Sequence, residues 1–167
     1  MLADGAAMPK LSAGLVAYRT RQGQLEVLLV HPGGPFWQHK DAHAWSIPKG
    51  ECNEDADPAQ EAEREFHEEL GIEAPAGPRI DLGVIKQASG KVVRAWAVDG
   101  SALDLEERGV HSTEFEMEWP PRSGRMQRFP EVDRAEWMTL DVARGRVVKA
   151  QAALFDRLVE AVGGSAG

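Results

Sequence analysis

Glu61, Glu65, Glu68 and Glu69 recur at spacings of three and four residues. On a helix turning roughly 100° per residue they fall within an arc of about 100°. Ala59, Ala62, Phe66 and Leu70 fill the adjoining arc, which therefore faces a core. Arg64 lies on the other flank, within reach of Glu61 at i−3 and Glu68 at i+4. One guanidinium does not neutralise four carboxylates, and like charges one turn apart cost about 0.2–0.5 kcal/mol per pair. A solvated acidic face is the simpler reading of such a helix. Here, however, the acids border the buried stripe, where partial desolvation makes unpaired charge costlier. A bound divalent cation relieves that conflict. Mg²⁺ takes hard oxygen ligands, and carboxylates one turn apart supply two or three of them.

The elements that must position these residues follow from local signals. Asp57 is a suitable N-cap, Pro58 suits the first helical position, and Gln60 completes a capping-box spacing. The helix should run to about Leu70 and stop at Gly71. Trp45-Ser46-Ile47-Pro48-Lys49-Gly50 leads into it, with a short strand at Ala44–Ile47 and then a tight turn. Gly50 lets the backbone approach a ligand or metal closely. Ser12–Arg19 and Leu25–His31 read as a hairpin around Gly23, and Leu82–Ala88 and Val92–Val98 as paired strands. Glu114–Trp119 alternates acid and apolar residues, as a half-exposed strand does. Pro120–Pro130 reads as a loop, Arg134–Met138 as a short strand, and Leu140 to about Val162 as a helix broken near Gly145. Residues 1–9 and 163–167 are expected to be tails around a single domain over 10–162. Met8 is an alternative start. The order of strands, helix, strands, helix gives an α+β class with a mixed β-sheet between helices.

The run from Gly50 to Ile72 resembles the Nudix box. That pattern is a glycine, five residues, a glutamate, seven residues, then Arg-Glu-apolar-any-Glu-Glu-any-Gly-apolar. This chain supplies Gly50 and Arg64-Glu65-Phe66-His67-Glu68-Glu69-Leu70-Gly71-Ile72 at that spacing. The chain is thereby similar to the Nudix hydrolase superfamily of MutT-like pyrophosphohydrolases, and the resemblance implies their α/β/α sandwich. Ala56 departs from the pattern, standing where the family has its first glutamate. The resemblance makes that position a support for the arginine, a task that Glu54, Asp55 or Asp57 would take over by a small shift. It makes Glu65, Glu68 and Glu69 metal ligands, joined by the Gly50 carbonyl, with Arg64 orienting them. Many members add a ligand glutamate six residues before a late aromatic. Glu131 and Trp137 fit that spacing, with Glu114, Glu116 and Glu118 as competitors for the role.

The implied chemistry is hydrolysis of a phosphoanhydride in a nucleoside diphosphate-linked compound, with Mg²⁺ or Mn²⁺ activating a water. One of the glutamates accepts its proton, and which one is left open. The catalytic set is Glu65, Glu68, Glu69 and Arg64. Lys49, beside Gly50, is the leading phosphate-binding cation, and Arg122 and Arg125, with Arg128, are candidates to clamp distal phosphates. Trp37 or Trp45 is a candidate to stack on a base, whereas Trp96 and Trp137 read as core. His31, His39 and His43 are candidates to touch substrate, with plain structural residues the simpler reading, and Cys52 reads as an inert thiol. The Pro48-Lys49-Gly50 lead-in is similar to that of hydrolases of diadenosine polyphosphates and diphosphoinositol phosphates. No marker proline or tyrosine stands at Gln87–Ser89, which favours nucleoside or dinucleoside polyphosphates over ADP-ribose. The alternative is a catalytically impaired nucleotide-binding or regulatory domain, which Ala56 favours.

Composition bounds these readings. The 167 residues carry 27 acids and 19 Lys or Arg, a net charge of −8. Glu51–Glu73 alone holds ten acids and one base, a charge of −9, so the remainder sums to +1. Nucleic-acid coating, which needs a basic footprint, is excluded. A small polyphosphate bridged by metal is not. One cysteine excludes an internal disulfide framework and a cysteine-rich zinc site. No apolar run reaches the roughly 18 residues of a membrane helix, and residues 1–10 lack the pattern of a secretory signal. A cytoplasmic protein is expected, without a membrane partner. The resemblance adds a homodimer as one assembly to test.

Overall fold

The computed structural model describes residues 10–105 and 110–163. The expected tails, 1–9 and most of 163–167, lie outside the described residues. Eight strands and three α-helices are described. The strands are β1 (Leu11–Arg21), β2 (Gln24–Pro32), β3 (Lys49–Glu51), β4 (Ile80–Lys86), β5 (Val92–Asp99), β6 (Glu114–Glu118), β7 (Met126–Pro130) and β8 (Val132–Thr139). The helices are α1 (Pro58–Leu70), α2 (Leu140–Arg146) and α3 (Ala152–Ala161).

Six strands form a mixed sheet in the order β4-β5-β1-β2-β8, with β3 also on β1. The β1–β5 pairing is parallel and the others are antiparallel. Alternation along β1 assigns its two faces. Ala13, Leu15 and Ala17 join Ala62, Phe66 and Leu70 of α1 in one core cluster. Val16 joins Leu154, Phe155 and Leu158 of α3 in the other. Helices thus cover both faces, which is the expected α/β/α sandwich.

One edge of β1 is shared, and this builds the site. Tyr18–Arg21 pair with β2, while Ser12–Gly14 pair with β3. The segment leading to β3 is wedged between the two partners. Ser46 bridges Val30, and Trp45 bridges Val147. Ala44–Ile47 therefore makes only isolated bridges, and the ladder forms after Pro48, whose ring removes a donor. Lys49-Gly50 is delivered directly beneath α1.

One further expectation is corrected and one is located more closely. Residues 126–130 form β7 against β6, in place of a loop. MQRFP shows no clean alternation, and its pairing is set by cross-strand partners such as Glu116 and Arg128. The break in the C-terminal helix falls after Arg146, where Val147 turns extended. A 3₁₀ turn at Lys149–Gln151 then leads into α3. Among the described residues no helix is long and apolar enough to cross a membrane.

Candidate active site

The termini of α1 form as their residue types dictate. The Asp57 carboxylate accepts from the Ala59 N–H at 3.2 Å, satisfying a donor the helix leaves open. Gly71 closes the helix with φ 73°, the left-handed value that a side chain disfavours. Between these ends, burial follows the helical wheel. Glu69 lies nearest the apolar arc, and its Oε1 is buried with no hydrogen-bond partner. The Glu65 side chain is 12 % exposed, that of Glu61 18 % and that of Glu68, farthest round, 37 %.

Arg64 gathers the acids on its flank. Its guanidinium donates to Glu61 Oε2 at 2.6 Å, to Glu68 Oε1 at 2.7 Å and to Glu65 Oε1 at 2.9 Å. Glu61 thus gives Arg64 the support that the sequence pattern assigns to position 56. Among Glu54, Asp55 and Asp57 none bonds Arg64, and Asp57 is committed to the helix cap. Ala56 instead faces a cavity beside Cys52 and Glu54. The Cys52 thiol is pushed up by burial, with Glu61 and Asp57 adding to the shift, which keeps it protonated and unreactive.

Glu69 and Glu65 face the turn at Lys49-Gly50. A Cβ at residue 50 would overlap the Glu65 carboxylate and push it aside, so glycine is what lets that carboxylate rest against the turn. The Lys49 N–H donates to Glu69. Burial nevertheless pushes the Glu69 carboxyl up to about 8, against the pull of the Lys49 charge and with Glu65 and Glu131 adding to the rise. Burial also raises Glu65, opposed by Arg64 and reinforced by Glu68 and Glu131. Lys49 is pushed down by burial and by Lys91, while Glu69, Glu65 and Glu51 draw it back.

A pocket of about 230 Å³ opens beside this cluster. Glu69, Lys49 and Glu131 line it together with Trp37 and an apolar floor of Val30, Ile47, Val132 and Val148. Glu131 reaches it because its backbone is fastened on both sides. Its N–H donates to Thr113, and its carbonyl accepts from Gly33. The competing acids stand elsewhere: Glu118 holds the N–H groups of Arg122 and Gly124 in the β6–β7 turn, and Glu114 and Glu116 lie near Arg128. Arg122 and Arg125 are exposed at that turn. Four register steps separate it from Pro130, roughly 13 Å of strand. Neither lines the pocket. Trp45 is fully buried and Trp37 is 41 % exposed, so Trp37 alone of the two is available for stacking. Trp96 is buried as expected, and Trp137 packs half-buried with the Arg19 guanidinium 4.4 Å above its ring. His31, the last residue of the expected strand Leu25–His31, is fully buried at the end of β2.

Among the described residues no three Asp, Glu, His or Cys side chains converge closely enough to clasp an ion as they stand. Glu65 and Glu68 are turned to Arg64. The donors nonetheless suit a hard divalent cation. They are carboxylate oxygens, one is orphaned in the interior, and the charges of Glu65, Glu69 and Glu131 oppose one another in the absence of a counter-charge.

Opposed carboxylates and a lysine thus stand around one small pocket on an α/β/α sandwich. A family profile described as NUDIX domain matches residues 8–158, and the chain belongs to that family. Members generally use divalent ions such as Mg²⁺ or Mn²⁺. No curated protein matches the chain. Solved structures do. One is a C. elegans Ap4A hydrolase binary complex, with TM-score 0.65 and 23 % identity over 93 % of this chain and 98 % of that one. Another is the NUDIX domain of Shewanella oneidensis NrtR complexed with ADP ribose, with TM-score 0.61 and 19 % identity over 95 % and 92 %. A third is the C-terminal domain of mouse MUTYH in complex with human PCNA, with TM-score 0.56 and 19 % identity over 93 % and 90 %.

Proposed function

We propose that the chain hydrolyses a phosphoanhydride bond in a nucleoside or dinucleoside polyphosphate, using a divalent cation held by Glu65, Glu68, Glu69, Glu131 and the Gly50 carbonyl. The observation that carries this reading is the orphaned, raised carboxyl of Glu69 beside Glu65 and Glu131. A cation bound there neutralises phosphate charge and lowers the pKa of a water. The chain's own residues do the rest. Arg64 turns the glutamates and restrains their rotamers. Lys49 lies where a phosphate oxygen would approach and sets its charge against it. One of the glutamates takes the proton of the attacking water. Trp37 offers a ring face at the pocket rim for a base. Arg122 and Arg125 contribute to a long polyphosphate that extends toward the hairpin.

The Ap4A hydrolase likeness and the Pro48-Lys49-Gly50 lead-in support the polyphosphate substrate class. The lone cysteine accords with a cytoplasmic location. A second reading, a nucleotide-binding or regulatory domain with impaired catalysis, draws on Ala56 and on the hold of Arg64 over Glu65 and Glu68. The fold likeness extends to domains solved with ADP ribose and with PCNA. The test is a panel of nucleoside triphosphates, dinucleoside polyphosphates and ADP-ribose with Mg²⁺ and with Mn²⁺, products separated by chromatography. Turnover of the polyphosphates above ADP-ribose is expected. Tight binding without turnover across the panel would leave the second reading standing.

A further inference from the structure

His31 ends β2 with no exposed surface. Its Nδ1 lies 2.8 Å from Asp133 Oδ1 and its Nε2 lies 2.6 Å from the Lys40 carbonyl oxygen. The ring meets Trp45 edge-on at 5.0 Å. A carbonyl oxygen brings no proton, so Nε2 must carry one. Asp133 Oδ1 also has Arg134 Nε at 3.7 Å. Both ring nitrogens are therefore partnered, one on each side of the ring, and the imidazole cannot turn without giving up a bond that burial makes costly to lose.

The two acceptors stand close in the chain to two residues that line the pocket, Trp37 and Glu131. Lys40 closes the turn that carries Trp37: its N–H donates to the Trp37 carbonyl at 3.0 Å, and the Trp37 N–H reaches Gly34 at 3.3 Å. Asp133 follows Glu131 by two residues, and the Glu131 carbonyl accepts from Gly33 at 2.9 Å. We propose that His31 is a positioning residue, a buried latch between Asp133 and the Lys40 carbonyl that fixes the Trp37 segment of the pocket relative to the Glu131 segment. Its effect on turnover rests on the reading of this pocket as the substrate site. The latch itself does not.

The first test uses the full chain unaltered and metal-free. Nitrogen-15 NMR of the His31 ring, assigned by its loss in His31→Phe or its shift in Asp133→Asn, should show a hydrogen on Nε2 that is protected from solvent exchange. A ring whose Nε2 carries no hydrogen overturns the latch. The second reads the loop in His31→Gln, which keeps one donor group, and in His31→Phe. Acrylamide quenching of Trp37, taken as the difference from a Trp37→Phe background, should rise about twofold or more in a variant with unchanged circular dichroism. Unchanged quenching in a folded variant overturns the proposal. With the polyphosphate substrate, KM should rise about fivefold while kcat holds within about twofold. A fall in kcat at unchanged KM counts against it. A chain without turnover still reports through NMR and quenching, so failure of the functional reading and failure of the latch are told apart.

Discussion

Glu69→Gln removes one ionisable group at nearly constant shape, and its effect on stability can be worked out from burial. The Glu69 carboxyl stands at about 8 in the folded chain against an ordinary 4.5. Because the folded value is the higher, folding favours the protonated form. Stability from this group is complete below pH 4.5 and is lost as pH rises toward 8. At pH 7 the unfolded carboxyl has ionised through about 2.5 pH units at about 1.4 kcal/mol each, while the folded one stays mostly protonated. The metal-free native chain therefore forgoes about 3 kcal/mol at pH 7 that a glutamine never gains or loses. The glutamine oxygen can still accept from the Lys49 N–H. The variant should exceed the native chain by about 3 kcal/mol at pH 7 and match it near pH 4. Urea unfolding in chelator at pH 4, 5.5, 7 and 8 gives the difference directly. Mg²⁺ should then stabilise the native chain and leave the variant unmoved. A difference that stays flat from pH 4 to 8, or a variant less stable at pH 7, would refute the burial argument and with it the idea that Glu69 awaits a cation.

Other outcomes follow from single contacts. Gly50→Ala should fold but displace the Glu65 carboxylate, lowering kcat about 100-fold in steady-state assays, since ångström misplacement near a reacting group has that scale. Asp57→Ala removes the α1 cap and should cost about 1 kcal/mol, or about 2–4 °C in Tm by calorimetry, with activity retained. Trp37→Ala should raise KM for a nucleoside polyphosphate about fivefold, the value of roughly 1 kcal/mol of ring contact, and leave KM for inorganic tripolyphosphate alone.

Much of this arrangement could be read from residue types, because the signals were local. The apolar stripe Ala62, Phe66 and Leu70 and the caps Asp57 and Gly71 mark α1 within a residue. The wheel that sets four acids beside that stripe also ranks their burial, with Glu69 innermost. The reach of Arg64 to Glu61 and Glu68 needs only helical geometry. What was not legible depends on distant partners. β7 is stabilised by β6 across a turn, so its polar sequence carries little strand signal of its own. The position of Arg122 and Arg125 at the hairpin tip depends on the register of that pairing. His31 shows no motif, because its partners lie 9 and 102 residues away. A buried histidine flanked by two acceptors is recognisable only once the fold brings them together.

The central claim is that the acidic helix holds a cation that makes phosphoanhydride hydrolysis possible. Its most direct measurement is the single-turnover cleavage rate of a dinucleoside tetraphosphate in Mg²⁺ and in chelator, for the native chain and Glu69→Gln. The account predicts cleavage that needs Mg²⁺ and falls by about 100-fold or more in the variant, which stays folded. Equal rates in Mg²⁺ and chelator, or a variant as fast as the native chain, would contradict it.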